Sequence, residues 1–173
     1  IKIIESEINI GFGQANNIGL TYALEKCFDY IMLLNQDTFI DNSTIMALMK
    51  ELNNNEAYGI LTPLHFYSDF HLQKSFNKII ENKSLINDLK KFKFSEKIYE
   101  VPFINAAIWL MSNKCLKTVG GFSPVFFHYG EDNNYCHRVI YHNLKIGIVP
   151  LLKAYHFNYE NQNKYYSKNN VLK

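Results

Sequence analysis

Arginine is almost absent: Arg138 is the single one in 173 residues. A protein that reads phosphates or guanine edges with bidentate arginine forks is thereby disfavoured. A net charge of +2 also argues against wrapping a polyanion. Cys27, Cys115 and Cys136 are odd in number and far apart, with no C-x-x-C. That pattern suits reduced, buried thiols in the cytosol better than a disulfide frame or a zinc site. No apolar run approaches the roughly 20 residues of a membrane span, and the first residues carry no secretory signal pattern. Internal repeats are lacking too. The composition that remains, 47% hydrophobic and 20% charged, is an ordinary globular balance at a length suited to one domain. The chain begins at Ile1 in mid-pattern without a methionine, as a fragment would.

Ile1–Ile4 reads as a short strand, and Ile18, Tyr22, Leu24 and Phe28 recur at helical spacing over about Ala15–Phe28. Tyr30–Leu34 is a continuous apolar run, the pattern of a strand buried on both faces. Asn42-Ser43 can cap a helix carrying Ile45, Leu48, Met49 and Leu52, and Tyr58–Thr62 gives another strand, stopped by Pro63. Strand–helix–strand–helix–strand is the order of a parallel α/β sheet, whose ligands bind beyond the carboxyl ends of the strands. Further on, Tyr99–Val101, Ala106–Met111 and Lys145–Val149 read as strands. A short helix from about Lys114 ends at Gly120-Gly121, and one from Glu131 ends near Asn143, a residue suited to a left-handed cap. Residues 157–173 form an Asn/Lys/Tyr-rich tail separate from a domain over residues 1–156.

Several constellations could carry chemistry. In Gly11-x-Gly13-x5-Gly19 the third glycine of a dinucleotide fingerprint is replaced by Asn16. The segment suits either a tight turn with helix-on-sheet packing at Gly19 or a backbone that closely approaches a ligand. Asn35-Gln36-Asp37 follows the buried run at the end where ligands bind. Its oxygens suit a turn, and equally a hard divalent cation shared with phosphates. Glu131-Asp132 opens a helix, where carboxylates act as ordinary N-terminal charges or as an ionised base for a substrate hydroxyl. His128, His137 and His142 show no metal-ligand spacing, whereas His156 follows a late strand and can reach the edge where Asp37 lies. Between Phe66 and Lys97, Lys83, Lys90, Lys91, Lys93 and Lys97 alternate with Leu85, Ile86, Leu89, Phe92 and Phe94. This is an amphipathic helix packed on the domain, or a basic surface for an anionic membrane.

The order of these pieces resembles a family 2 glycosyltransferase of the bacterial rhamnosyltransferase type. Asn9–Gly19 matches N-x-G-F-g-x-a-x-N-x-G, Leu33–Thr38 matches L-L-N-x-D-T, and Gly120–Arg138 matches G-G-F-D-x-x-F-F-x-Y-x-E-D-x-D-x-C-x-R. The resemblance implies a GT-A (Rossmann-like) fold, a mostly parallel sheet flanked by helices with a smaller antiparallel part. It also implies that the family's first βαβ unit, which helps build the nucleotide pocket, is missing here. The implied reaction is inverting transfer of a sugar from a nucleotide-sugar donor, UDP- or dTDP-linked, to a saccharide or lipid-linked acceptor in cell-surface polysaccharide synthesis.

By resemblance, Asp132 is the general base, with Glu131 beside it. Asn9, Gly11, Phe12, Asn17, Asn35 and Asp37 lie on the donor side, and Asp37, Asn35 and His156 hold Mn²⁺ or Mg²⁺. The chain departs from the pattern at Asn35, where the stricter motif has a carboxylate, at Ser123 and Asn134, where acidic residues are usual, and at Asn105-Ala106-Ala107, near the family's usual glycine. These departures favour the alternative of a non-catalytic sugar- or partner-binding remnant. A nucleotidyltransferase is disfavoured because no glycine-rich basic loop lies near the start. The expected location is the cytoplasm, peripheral on the inner membrane face.

Overall fold

The computed structural model describes residues 2–67, 71–73 and 82–157. A six-stranded sheet forms its centre. The strands are β1 (Tyr30–Leu34), β2 (Thr38–Phe39), β3 (Tyr58–Phe66), β4 (Tyr99–Glu100), β5 (Ile108–Ser112) and β6 (Lys145–His156). The helices are α1 (Phe12–Glu25), α2 (Asn42–Asn54), α3 (Lys83–Lys91), α4 (Asn113–Val119) and α5 (Glu131–Tyr141). Leu48 and Leu52 of α2 cover one face of the sheet. The other face is covered by Leu20 and Ala23 of α1, Leu85 of α3, Leu116 of α4, and Tyr135 and Val139 of α5.

Strand order is β1-β5-β3-β6-β2, with β4 paired to β6. β1 and β3 both pair antiparallel with β5, and β3 pairs parallel with β6. So β1, β3 and β6 run in one direction, as a parallel α/β order requires, but β5 is inserted between β1 and β3 in the opposite sense. Among the described residues only the β3–β6 pairing is parallel, so the antiparallel share is larger than the alternation of elements suggests. The inserted strand comes from a segment more than forty positions downstream of β3, and a pairing of that range leaves no local mark.

The proline punctuation is weaker than expected. β3 continues through Pro63 to Phe66, and β6 continues past Pro150 to His156. The ladder instead shifts register, with Pro63 opposite Val149 and Leu64 opposite Lys153, so Pro150–Leu152 are looped out. A proline has no N–H to give a ladder, and an irregularity in register is where a sheet accommodates one. As a consequence β6 carries His156 into the sheet, level with Thr38 of β2.

Other boundaries move by a few residues. Helix α1 starts at Phe12 rather than Ala15, and α2 is capped by Asp41, whose side chain accepts from the Thr44 N–H at 2.7 Å. Residues 2–4 form no strand, since they have no strand neighbour among the described residues. Cys115 and Cys136 are buried as expected, whereas Cys27 is exposed. Of the tail expected from 157 onward, only Phe157 lies within the described residues; its N–H donates to the Asp37 carbonyl at 2.7 Å.

Candidate active site

The site lies where β1, β3 and β6 end and β5 begins. Immediately after β1 the chain turns: Asn35 N–H donates to the Ala107 carbonyl at 2.9 Å, and Thr38 N–H donates back to the Asn35 carbonyl at 3.2 Å. The turn presents Asp37 to β6. Asp37 Oδ1 stands 3.3 Å from His156 Nε2, and both side chains are largely buried. The sequence signals for the two residues are 119 positions apart, and pairing of β2 with β6 joins them.

Helix α5 supplies the second pair of carboxylates. Gly130, at φ 92°, caps it without a side-chain bond, so Glu131 and Asp132 occupy the first turn beside backbone N–H groups that have no partner within the helix ladder. Glu131 is buried, and its Oε2 has no hydrogen-bond partner among the described residues. Burial holds the Asp132 carboxyl above the ordinary aspartate range. The Asn133 N–H, 2.7 Å from Oδ1, opposes that shift, the negative charge of Glu131 adds to it, and the backbone of Ala106 also opposes it. Ala106 and Ala107 thus connect the two halves: one faces Asp132 and the other accepts from Asn35.

The two long motifs form one packed unit. Gly11, at φ 82°, lies so close to Phe127 that a Cβ there would meet the Phe127 carbonyl oxygen at 2.2 Å. A Cβ on Gly13 would lie 3.1 Å from Phe122 Cβ and 3.7 Å from Glu131 Cβ. Phe12 meets Phe122 edge-on with centroids 5.8 Å apart, and Asn9 Oδ1 accepts from the Gly11 N–H at 2.9 Å. The close packing expected at Gly19 is found at Gly13, since Gly19 is exposed and a Cβ added there would meet nothing within 4 Å.

Asn17, one of the residues assigned to the donor side by resemblance, faces Phe122. Its Oδ1 accepts from the Phe122 N–H at 2.7 Å and its Nδ2 donates to the Phe122 carbonyl at 2.9 Å. The lone arginine has a comparable role: Arg138 donates to the carbonyls of Gly121 and Val119, and Tyr135 donates to that of Gly120 at 2.9 Å. These bonds fix the turn that leads into α5.

Two ligands bound side by side on an octahedral cation at about 2.1 Å stand roughly 3 Å apart. The 3.3 Å separation of Asp37 Oδ1 and His156 Nε2 therefore fits two neighbouring ligands of one divalent cation. Among the described residues no group of three His, Cys, Asp or Glu side chains could hold a metal, so phosphate oxygens and water would complete the shell. Asn35 is near in the chain, with its N–H and carbonyl both committed to the turn.

Two polar residues behind the pair had no signal in the sequence. His65 is fully buried, and its Nε2 lies 2.8 Å from Thr62 Oγ1, whose hydroxyl donates to the Ile108 carbonyl at 2.7 Å. The imidazole therefore donates to the threonine and is neutral; burial above all, with the proximity of the His156 ring adding to it, lowers its pKa to about 3. Gln73 is the other, and its Nε2 donates to the His156 carbonyl at 2.8 Å.

A family model described as glycosyl transferase family 2 matches residues 1–120, which include Asn9–Gly19 and Asp37 but stop short of Glu131, Asp132 and His156. Rhamnosyltransferase WbbL of Escherichia coli (strain K12) is 27% identical over 173 residues, covering 91% of this chain and 65% of that protein. The dTDP-rhamnosyl transferase RfbF of Shigella flexneri is 26% identical over 155 residues, covering 86% of this chain and 49% of that protein. The chain thus spans between about half and two thirds of the length of these curated relatives. Among solved structures, GalNAc-T7 with UDP, GalNAc and Mn²⁺ superposes with a TM-score of 0.64 at 13% identity, over 91% of this chain and 32% of that one. A197 from STIV superposes with a TM-score of 0.56 at 18% identity, over 84% and 67%. These likenesses establish the GT-A fold.

Proposed function

The chain belongs to glycosyl transferase family 2 and is rhamnosyltransferase-like, and from that premise we propose that it carries the acceptor-activating and cation-binding part of an inverting glycosyltransferase. The donor is a nucleotide sugar and the acceptor a hydroxyl of a saccharide or lipid-linked saccharide destined for cell-surface polysaccharide. Between UDP and dTDP, the relative named a dTDP-rhamnosyl transferase favours dTDP.

The observation that carries this reading is the shared strand end. The Asp37–His156 pair and the Asp132 carboxylate both adjoin the Asn35/Ala106–Ala107 junction. In this reading Asp132 takes the proton of the acceptor hydroxyl as its oxygen bonds to the anomeric carbon. The bond to the diphosphate oxygen breaks on the opposite side, so configuration inverts. Burial raises the Asp132 carboxyl above the ordinary aspartate range and so makes it a stronger base than an exposed aspartate. Glu131, with an unpartnered buried oxygen, orients the acceptor through a neighbouring hydroxyl. Asp37 and His156, with Asn35 close by, hold Mn²⁺ or Mg²⁺, which supplies charge neutralisation for the departing diphosphate. Asn9, Gly11 and Phe12 shape the donor side, and Asn17 acts there by holding the Phe122 backbone.

The domain of residues 1–156 works in the cytoplasm, where nucleotide sugars are made, and touches the inner membrane face through the lysines of residues 83–97. No helix among the described residues is long and apolar enough to cross a membrane. A second reading, a non-catalytic sugar- or partner-binding module, is favoured by the two-residue cation pair and by Asn35 in place of a carboxylate. Incubating the full-length protein with Mn²⁺, UDP- and dTDP-sugars and a lipid-linked acceptor separates the two. Transfer that is lost in Asp132→Asn while nucleotide affinity persists supports the enzyme. Metal-dependent donor binding with no transfer to any acceptor supports the module.

A further inference from the structure

Behind the Asp37–His156 pair, two residues joined by a hydrogen bond, Gln73 and His156, each keep a buried polar atom without a partner. Gln73 lies on a short return of the chain, where Tyr67 N–H donates to the His71 carbonyl at 2.8 Å and Gln73 N–H donates to the His65 carbonyl at 3.0 Å. Gln73 is 1% exposed. Its Nε2 donates to the backbone carbonyl of His156, which accounts for one end of its carboxamide. The other end, Oε1, is buried with no partner among the described residues, and so is Nδ1 of His156. One atom can only accept. The other is a ring nitrogen that donates when it carries the hydrogen.

The imidazole has one hydrogen when neutral, and its position decides what the ring can do. Nε2 faces Asp37 at 3.3 Å. For Nε2 to offer its lone pair to a cation, the hydrogen must sit on Nδ1, and a buried N–H there requires an acceptor. We propose that Gln73 is a positioning residue: its Oε1 accepts the His156 Nδ1 hydrogen through one buried water, and so fixes Nε2 as a ligand for a divalent cation shared with Asp37. This rests on the reading of Asp37 and His156 as a cation pair. The same carboxamide holds the His156 backbone with its Nε2, so one side chain sets both the height of the residue in the sheet and the tautomer of its ring. A purely structural tie would need only the first of these bonds.

The experiment uses the full-length protein, with Mn²⁺ and UDP as probes and the electron paramagnetic resonance signal of free Mn²⁺ as the measure of binding. Gln73→Leu removes the acceptor and should weaken Mn²⁺ binding about 10–100-fold, the range found when a partner of a metal-ligating histidine is lost. Gln73→Glu keeps an acceptor while deleting the donor to the His156 carbonyl, and should bind Mn²⁺ more tightly than Gln73→Leu. Nitrogen-15 spectra of the wild-type protein with Mg²⁺ and UDP should show His156 protonated at Nδ1, a readout independent of any variant's folding. Protonation at Nε2, or unchanged Mn²⁺ affinity in Gln73→Leu, overturns the proposal. Asp37→Asn and His156→Ala mark the level at which it fails. If both bind Mn²⁺ like the wild type, the cation pair itself is wrong; if both lose Mn²⁺ while Gln73→Leu keeps it, only the role of Gln73 is wrong.

Discussion

The side-chain amide of Asn17 and the backbone of Phe122 bind each other in both directions, at 2.7 Å through Oδ1 and 2.9 Å through Nδ2. A Cβ on neighbouring Gly121 would lie 2.5 Å from the same Oδ1, so the backbone turn is as close to the amide as a turn can be. Helix α1 is thereby tied to the segment that enters α5. Phe122 in turn stacks on Trp109 of β5 at 6.1 Å and meets Tyr135 of α5 at 4.9 Å. The position of Glu131 and Asp132 thus depends on a residue more than a hundred positions earlier in the chain.

Asn17→Ala should therefore destabilise the fold by about 1–3 kcal/mol, because it leaves a half-buried N–H and carbonyl without partners. Urea denaturation of the full-length protein measures this. Wild-type stability in the variant would show that the clamp is dispensable and would return Asn17 to the donor side.

The glycines of the same motif separate by what surrounds them. Gly19→Ala adds a methyl group in open space within a helix and should stabilise by about 0.5–1 kcal/mol. Gly11→Ala places a Cβ 2.2 Å from the Phe127 carbonyl at a positive φ and should destabilise by more than the Gly19 change stabilises. Thermal melting of the two variants gives the order directly; a Gly11→Ala variant as stable as wild type would refute the close approach.

What could be foreseen from the sequence was local. The apolar run Tyr30–Leu34 is β1 to the residue, Glu131 opens α5, Gly120 ends α4, and Asn143 adopts φ 57° as a left-handed cap. Each depends on periodicity or backbone chemistry within a few residues. The insertion of β5 between β1 and β3 was not foreseeable in that way, because a buried strand reads the same whichever neighbour it pairs with. Pro150 misled for a related reason: a proline ends a strand or marks a register shift, and only the partner strand decides. The residues of the candidate site divide likewise. Asp37 and His156 lie at strand ends, where ligand-binding residues are expected, whereas Gln73 follows no motif and is defined only by what it touches. Asn17 was visible, but an asparagine beside a glycine turn suits a ligand and a backbone clamp equally.

The lysines of residues 83–97 distinguish two kinds of membrane contact. Leu85 is buried, and Ile86, Leu89 and Phe94 pack against the core, so the apolar stripe of α3 is not free to insert into lipid. Lys83, Lys90, Lys91, Lys93 and Lys97 lie on the outer side, beside Phe92 at 61% exposure. Any attachment should be electrostatic: vesicles with anionic lipid should bind the protein at low salt and release it as the Debye length falls from about 10 Å at 0.1 M to about 3 Å at 1 M. Replacing Lys90, Lys91 and Lys93 with alanine should weaken binding in cosedimentation. Equal binding to neutral vesicles would eliminate the idea.

Asp132 makes stability depend on pH through its ionisation, and in the proposed reaction activity as well. Its folded-state carboxyl is held above the ordinary value of 3.8 first by burial, with Glu131 adding to the effect. Folding therefore disfavours the charged form. Below pH 3.8 the group is protonated in both states and contributes nothing; as pH rises through the folded-state value, the carboxylate increasingly costs stability. Asp132→Asn removes that cost, so the variant should be more stable than wild type at pH 7 and equal to it near pH 3. In the proposed reaction the same substitution removes the base and should lower kcat by about 10²–10⁴. Glu131→Gln tests the electrostatic part separately, since deleting the neighbouring charge should move the acid limb of kcat/KM to lower pH. A melting temperature for Asp132→Asn that tracks wild type at every pH would mean that the carboxylate is not desolvated, and an acid limb indifferent to Glu131→Gln would mean that Asp132 is not the group that titrates in catalysis.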